Sequence, residues 1–402
     1  MSKRLPTGAT IEVSQALRKF RDFQNSDLLF YDPFYETTLE VELRQPLLRD
    51  FGIDLNRAAI NASRNNYRIS QHQFHLLVIQ TVAEVERNYW QLTVSRQQAM
   101  IFENLLQQAE INLSRLDARK IFDARSTIIS RNRALIARAR ANLISARNSI
   151  LQRQDQLIES LNDPTLKPEE DWEILVLTPP TSQAYLIDRD RAIAAAIRMR
   201  PEMAAQIIQM DTRALAVGVA ENQLLPRLDL LLQNEITGAG TDSGMGWDNQ
   251  NRLNTQSYQF GLSFELPLGG NRAARADLVR AKHQQIQEKL SLESIRQQII
   301  ADISISVHAL QSAYDEIKER RKAAQAEADT LTAYRAQEDA HAAITADFLN
   351  RKIDSLERVS NAQLNLIQAL LDYNIAIINV NRAQGVLLRY NNIKLAELPS
   401  EK

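Results

Sequence analysis

Tyr258-Gln259-Phe260-Gly261-Leu262-Ser263-Phe264-Glu265-Leu266-Pro267-Leu268-Gly269-Gly270 reads as a strand with one greasy and one wet face. Tyr258, Phe260, Leu262, Phe264 and Leu266 fall on one side. Gln259, Gly261, Ser263 and Glu265 fall on the other, the period of two expected of a half-buried strand. Pro267 and the paired glycines stop it, and a helix opens at Asn271-Arg272-Ala273-Ala274. The same succession stands earlier in the chain. Leu39, Val41 and Leu43 alternate with Thr38, Glu40, Glu42 and Arg44, Gln45-Pro46-Leu47 closes the strand, and a helix opens at Asn56-Arg57-Ala58-Ala59. Each helix then carries a similar block, Val82-Ala83-Glu84-Val85 in the first and Ile300-Ala301-Asp302-Ile303 in the second. A repeat of this length predicts an internally duplicated architecture. Its unit is strand, strand, very long helix, turn, long helix.

The first repeat is expected over 1–161, with strands at about 8–18 and 37–46, a long helical hairpin over 56–161 and a tip at about 119–125. A connector rich in Pro, Glu and Asp follows at 162–183. The second repeat is expected over 184–392. It opens with a helix over 184–224, which Arg200-Pro201 starts or kinks. Strands at about 226–237 and 257–268 flank a glycine-containing loop over 238–256, and Leu228, Leu230 and Leu232 alternate in the first of them with Arg227, Asp229 and Gln233. A second long hairpin over 271–390 turns at about 338–345, and 393–402 is a polar tail.

The helices are long because nothing interrupts them. Neither Pro nor Gly occurs from Asn56 to Lys120 or from Asn271 to Ala340, so each would extend roughly 100 Å at about 1.5 Å per residue. The return segments supply lateral partners. Ile129, Ile136, Leu143, Ile150 and Leu157 recur every seven residues, with Ala139 and Ala146 between them. Leu349, Leu356, Leu370 and Ile377 do the same, flanked by Val359, Leu366, Tyr373, Val380 and Leu387. Sustained heptads mark coiled-coil seams.

Composition narrows the function classes. A formal net charge of −1 gives no global attraction to nucleic acid or anionic lipid. The absence of cysteine excludes disulfides, thiolate catalysis and Cys-based metal sites. No apolar run approaches the ~20 residues of a membrane-spanning helix, and no signal peptide precedes the first strand. There is no phosphate-binding glycine loop, no nucleophile elbow and no carboxylate pair anchored to a pocket-like fold, so neither an enzyme nor a cofactor is expected. His72 and His75 lie three apart on one helix without further ligands nearby in sequence, so no metal site is expected. Arg133, Arg140 and Arg147, seven apart, read as the wet face of a coiled-coil wall and not as a nucleic-acid stripe. Tyr89 and Trp90 sit at seam-like spacing and read as packing.

Four strands cannot cover their own apolar face, and the helices bury their seams against one another. Leu39, Val41, Leu43, Leu228, Leu230, Leu232, Tyr258, Phe260, Leu262 and Phe264 are therefore expected to face lipid, and the opposite polar rows to face water, as in a transmembrane barrel enclosing water. Four strands are fewer than the roughly eight that a barrel needs, so several copies must pool them. Three would give twelve. The other reading is a soluble coiled-coil scaffold with a small sheet.

Several segments taken in order resemble the TolC-like outer-membrane efflux protein family: Gln45-Pro46-Leu47-Leu48-Arg49-Asp50-Phe51-Gly52, Ala146-Arg147-Asn148, Leu225-Pro226-Arg227-Leu228, Gly261-Leu262-Ser263-Phe264-Glu265-Leu266-Pro267-Leu268, Ala369-Leu370-Leu371-Asp372-Tyr373-Asn374-Ile375-Ala376 and Arg382-Ala383-Gln384-Gly385. The resemblance runs from about Gly8 to Asn392. It implies a mainly α protein with β, a homotrimer sharing a 12-stranded β-barrel in the outer membrane, and an α-helical coiled-coil barrel in the periplasm. It also implies a passive exit duct of a tripartite efflux pump or a type I secretion system, docked to a periplasmic adaptor (membrane fusion) protein and an inner-membrane RND or ABC transporter. Two departures stand out. The helix that precedes the third strand has no counterpart before Gly8, which leads to the expectation of a truncated N-terminus lacking that helix and the signal peptide. The hairpin tips lack the family's glycine. By the resemblance, Phe122, Asp123, His341, Ala342 and Thr345 stand at the adaptor-docking tips, and Asp347 with Asn350 stands at the periplasmic gate. Asp347 also suits a helix start, where an acid favours the dipole. Arg18-Lys19 and the loop over 238–256 are expected in or near extracellular loops. The cargo is not readable.

Overall fold

The computed structural model describes residues 1–21, 33–119, 125–166, 172–253, 255–339 and 345–395. Two compact units emerge, one of residues 1–71 with 205–293, the other of 72–204 with 294–402. Each draws on both halves of the chain.

The first unit is built on one antiparallel sheet, ordered β1 (Ser2–Arg4), β2 (Thr10–Phe20), β3 (Phe34–Pro46), β4 (Arg227–Gly240), β5 (Gln256–Glu265). Five strands replace the four expected. β1 is too short to carry a period and pairs only with Thr10, Ile11 and Glu12. β3 and β4 lie far apart in sequence yet pair over twelve registered positions, from Tyr35↔Gly240 to Pro46↔Asp229. β5 ends at Glu265, short of the expected 268, where Pro267 withdraws a donor.

The segment 238–256, expected as a loop, contains a helix, α5 (Ser243–Asn251). Asp242 caps it, accepting the Met245 N–H at 2.9 Å, the usual role of Asp before a first turn. The expected helix over 184–224 is two, α3 (Arg189–Met199) and α4 (Pro201–Asn222), broken at Arg200 because the residue before a proline is pushed to extended backbone. Residues 184–188 precede α3 without helix.

The second unit packs the greater part of the long helices α1 (Ile53–Ala118), α2 (Ser126–Leu161), α6 (Arg272–Asp339) and α7 (Ala346–Ala383). The hairpin expected to run to 390 ends earlier. Gly385 takes φ +73° at the end of α7, and its α-carbon faces the Met199 carbonyl so closely that a Cβ would stand 3.2 Å from it. A short turn of helix, α8 (Leu387–Tyr390), follows.

The heptad residues form the core. Leu105, Ala109 and Leu116 of α1, Ile129, Ile136 and Ala139 of α2, Leu331 of α6, and Leu349, Ile353 and Leu356 of α7 make one cluster. All four helices thus share a seam. A second cluster seats Ala192 and Ala196 of α3 against Ile299, Ile303 and Val307 of α6, small residues that let two helices approach closely. The contact leaves no room at Ala196. Ala196→Leu is therefore expected to destabilise the fold by about 1–3 kcal/mol, measured as a lower denaturation midpoint, whereas leucine at the exposed Ala194 leaves the midpoint unchanged.

Candidate functional site

The register fixes which side chains share a face of the sheet. Ile11, Leu43, Leu232 and Phe260 form one row across four strands, and Val13, Val41, Asn234 and Tyr258 the next. Leu39 stands opposite Ile236, Leu230 opposite Leu262, and Leu228 opposite Phe264. The ten residues singled out from alternation thus lie on a single face. That face is not covered along β5, where Tyr258, Phe260, Leu262 and Phe264 are 65, 77, 70 and 62% exposed. Nor does any helix among the described residues have the length and apolarity to cross a membrane.

The other face is its chemical opposite. Glu12 stands across from Glu42, and Glu40 across from Glu235. Like charges directly opposed destabilise a sheet unless water solvates them. Gln233 Nε2 donates to Glu40 at 2.7 Å, and Arg44 reaches Glu42 at 3.4 Å. This face therefore needs water as firmly as the first face rejects it.

In the helical unit, an ion-pair ladder joins α2 to α1. Arg133, Arg140 and Arg147 meet Asp117, Glu110 and Glu103 at 3.8, 2.8 and 3.2 Å, so the heptad spacing of the bases is matched by that of the acids on the antiparallel neighbour. Arg131 and Arg138 reach Asp354 and Glu357 of α7 at 2.7 and 3.3 Å. Such exposed pairs contribute about 0.2–1 kcal/mol each, so they set register more than stability. Deeper in, Glu338 of α6 binds both Arg115 of α1 and the buried Lys352 of α7. None of these partnerships was legible beforehand, because the acids lie far from the bases in sequence.

Of the expected tip residues, Phe122, Asp123, His341 and Ala342 lie outside the described residues. Thr345 caps α7, accepting the Phe348 N–H at 3.1 Å. Asp347 lies exposed in the first turn of that helix and accepts hydrogen bonds from the Arg351 guanidinium one turn on. Its charge is thus answered within its own helix. Asn350 is partly buried, and its Oδ1 finds no donor among the described residues.

The block Tyr373-Asn374 clamps the connector to α7. The Tyr373 hydroxyl donates to the Gln183 carbonyl at 2.6 Å and accepts the Tyr185 N–H at 2.9 Å. The Asn374 side chain pairs with both backbone groups of Thr181, at 3.1 and 3.2 Å. Near the end of α7, Arg200 bonds Glu202 at 2.7 Å and Asp302 at 3.0 Å. Burial opposes its charge, but these two acids outweigh burial and hold it more firmly protonated. Arg382 is pushed the other way, by burial first and then by Arg87 and Arg200.

A cavity of about 630 Å³ lies among Glu86, Tyr89, Trp90, Leu157, Ile377 and Tyr390. Tyr89 and Trp90 meet edge to face, 5.1 Å between centroids. Burial raises the Glu86 carboxyl above its ordinary range, against the hydrogen bond donated by Asn391. No nucleophile with a base stands beside it. Burial first, and then His72, lower the His75 pKa below its ordinary value, and among the described residues no group of three or more ligating side chains could hold a metal ion.

No protein-family model and no curated protein matches this chain. Solved structures with the same fold do. Crystal structures of CusC, concerned with folding and transmembrane channel formation, align over 94% of this chain and 84% of that one, with a TM-score of 0.74 and 14% identity. The outer membrane protein VceC of Vibrio cholerae aligns over 94% and 87%, with a TM-score of 0.73 and 16% identity. The open state of the MtrE outer membrane channel of Neisseria gonorrhoeae aligns over 95% and 82%, with a TM-score of 0.72 and 17% identity. The fold is TolC-like: mainly helical, with a small antiparallel sheet.

Glu86 gives the helical unit a pH signature. A carboxyl that binds its proton more tightly folded than unfolded stabilises the fold in acid, and that stability is lost as pH rises through the ordinary carboxylate range towards the raised folded value. Glu86→Gln retains the oxygen bonded by Asn391 and removes the loss. The variant's thermal midpoint, followed by circular dichroism, should exceed the parent's at neutral pH and converge with it in acid.

Proposed function

We propose that this chain is an outer-membrane exit duct, passive and powered by a partner, that carries solutes across the periplasm and the outer membrane. The observation that carries the proposal is the two-faced sheet. One face is rich in leucine, valine and aromatic side chains, partly buried in β3 and β4 and exposed along β5, and the other opposes carboxylate to carboxylate. A lipid-facing exterior and a water-filled interior satisfy both at once. The likeness in fold to outer-membrane channels supports the same reading.

In this reading the chain is an internal duplication and works as a homotrimer. Four long strands from each copy make a 12-stranded barrel, and the paired helices form a coiled-coil tunnel. Closure pairs β5 of one copy with β2 of the next. β1 occupies the β2 edge at Thr10–Glu12, so it leaves that edge on assembly or shortens the pairing between copies. The helical tips, with Phe122, Asp123, His341, Ala342 and Thr345, meet a periplasmic adaptor, which couples the duct to an RND or ABC transporter. Asp347 and Asn350 line the entrance, and opening of the hairpins releases it. Burial in outer-membrane lipid is the role of Leu39, Val41, Leu43, Leu228, Leu230, Leu232, Tyr258, Phe260, Leu262 and Phe264. The polar faces lead solutes through, and no bond is made or broken.

The test compares the two faces of one strand. Phe260→Arg should cost about 2–4 kcal/mol of barrel stability, as a charge at mid-bilayer does, and abolish the heat-sensitive oligomer seen in mild detergent. Gln259→Arg, one residue away and on the wet face, should leave that oligomer intact. The parent protein should fractionate with outer membranes. Recovery as a water-soluble monomer with no affinity for detergent micelles, the behaviour of a soluble scaffold, would refute the proposal.

A further inference from the structure

Helix α5 lies on the apolar face of the sheet, at the end of the β4–β5 hairpin. The direction of four side-chain positions establishes this. Thr37, opposite Leu17 and Gly238, belongs to the apolar face by register, and its buried hydroxyl donates to the Gly246 carbonyl of α5 at 2.9 Å. Gln15, opposite Leu39, shares a hydrogen bond with Gln250 at 3.3 Å. A Cβ at Gly238 would stand 2.1 Å from the Gly246 carbonyl oxygen, and one at Gly240 would stand 2.7 Å from the Met245 Cβ. The strand gives up side chains at both positions so that the helix can seat. Asn249 Nδ2 fastens it further, donating to the Ala239 carbonyl at 2.7 Å.

The seat falls where the greasy rows stop. They run from the Leu228–Phe264 pair to the Leu39–Ile236 pair, and the next row, Thr37 with Gly238, is under α5. Eight residues of strand at about 3.4 Å each, tilted by about 40°, give the band a height of roughly 21 Å, close to the apolar belt of outer-membrane barrels. The helix itself is too polar for hydrocarbon, with Asp242 and Asp248 exposed at its start and middle. Yet it turns Met245 and Trp247 outward, 47 and 39% exposed. Beside it on the same face, Tyr35 carries the Lys19 ammonium 5.2 Å from its ring centroid. Indole, phenol and a lysine on a long stem are the side chains that settle at the level of lipid headgroups.

We infer that α5 is an interfacial collar: it rests in the headgroup layer of the bilayer, with Trp247 and Met245 dipping toward the acyl chains, and fixes how far the sheet sinks into the membrane. The inference rests on the reading of the apolar face as lipid-facing. Its occupant is a lipid surface, because the helix continues that apolar face and turns Met245 and Trp247 outward from it.

Depth-dependent quenching separates the two ideas. The full-length protein is reconstituted in phosphatidylcholine vesicles whose acyl chains carry bromine either near the glycerol end or near the chain end. The difference between the parent and Trp247→Phe isolates that indole without disturbing Trp90 or Trp172. Its fluorescence should be lost chiefly to the shallow bromines. Phe260→Trp, in the middle of the greasy rows, adds emission that should be lost to the deep bromines. Gly238→Val, which unseats α5, should abolish shallow quenching at Trp247 and spare the deep quenching seen with Phe260→Trp. If Phe260→Trp is quenched while Trp247 is not, or if Trp247 is quenched mainly by deep bromines, the collar is overturned and the barrel reading stands. If neither position is quenched, the barrel reading fails and the collar falls with it.

Discussion

Among the described residues the sheet has no second layer on its apolar side, apart from α5 at one end, and the character of the first unit depends on that bareness. A soluble sheet of this size covers its greasy face with a helix or another sheet. Here Tyr258, Phe260, Leu262 and Phe264 stand open along β5. Burying apolar surface yields roughly 25 cal/mol per Å², so rows of this extent represent several kcal/mol per strand that water withholds and a hydrocarbon surrounding returns. The carboxylates across the sheet impose the reverse condition. The proposed barrel, with lipid outside and water inside, would meet the two demands together.

The helical unit differs in that its seams are buried within the chain, although Ile144, Leu151, Leu177 and Leu186 stay 66, 60, 88 and 93% exposed. Tyr373, Ile303, Leu310 and Leu349 are fully buried without any partner copy. Arg133, Arg140 and Arg147 find acids on α1, and Arg131 and Arg138 find them on α7. Even the connector has its backbone groups taken up, at Thr181 and Tyr185, by Asn374 and Tyr373. Cohesion here comes from seams and ladders whose heptad spacing is intrinsic to paired helices.

What could be read from sequence follows the reach of each interaction. The alternation of β5 and the heptads of α2 and α7 are local patterns, and the structure places the former on one sheet face and the latter in successive clusters along the helices. The break at Arg200-Pro201 is local as well, being a property of the proline. β1 escaped notice because three residues carry no period. α5 escaped because Gly244 and Gly246 disguise a helix that the sheet holds in place, although Asp242 before Met245 is a capping signal that was available. The ion pairs of Glu338 and Asp302 were out of reach, since only the folded chain brings their arginines and lysine close. Tyr373 and Asn374 were legible as part of a motif, but not as the clamp on Thr181 and Tyr185. Among the expected site residues, the ten of the sheet share a face, whereas Asp347 is engaged by Arg351 in its own helix.

In the proposed reading, lipid on the greasy face would settle only half of the requirement. The sheet ends in β5 on one side and, on the other, in β2, whose edge is covered by β1 at Thr10–Glu12 and by Met1 at Val13. In water an open edge is solvated. In hydrocarbon each unpaired N–H and C=O costs several kcal/mol, which is why open sheet edges do not occur against lipid. A single copy that buried its apolar face in a bilayer would exchange one penalty for another. In the proposed oligomer both would be relieved by pairing β5 of one copy with β2 of another, a head-to-tail contact that repeats until the ring closes. Oligomerisation on this view is the condition under which the apolar face would become tolerable at all.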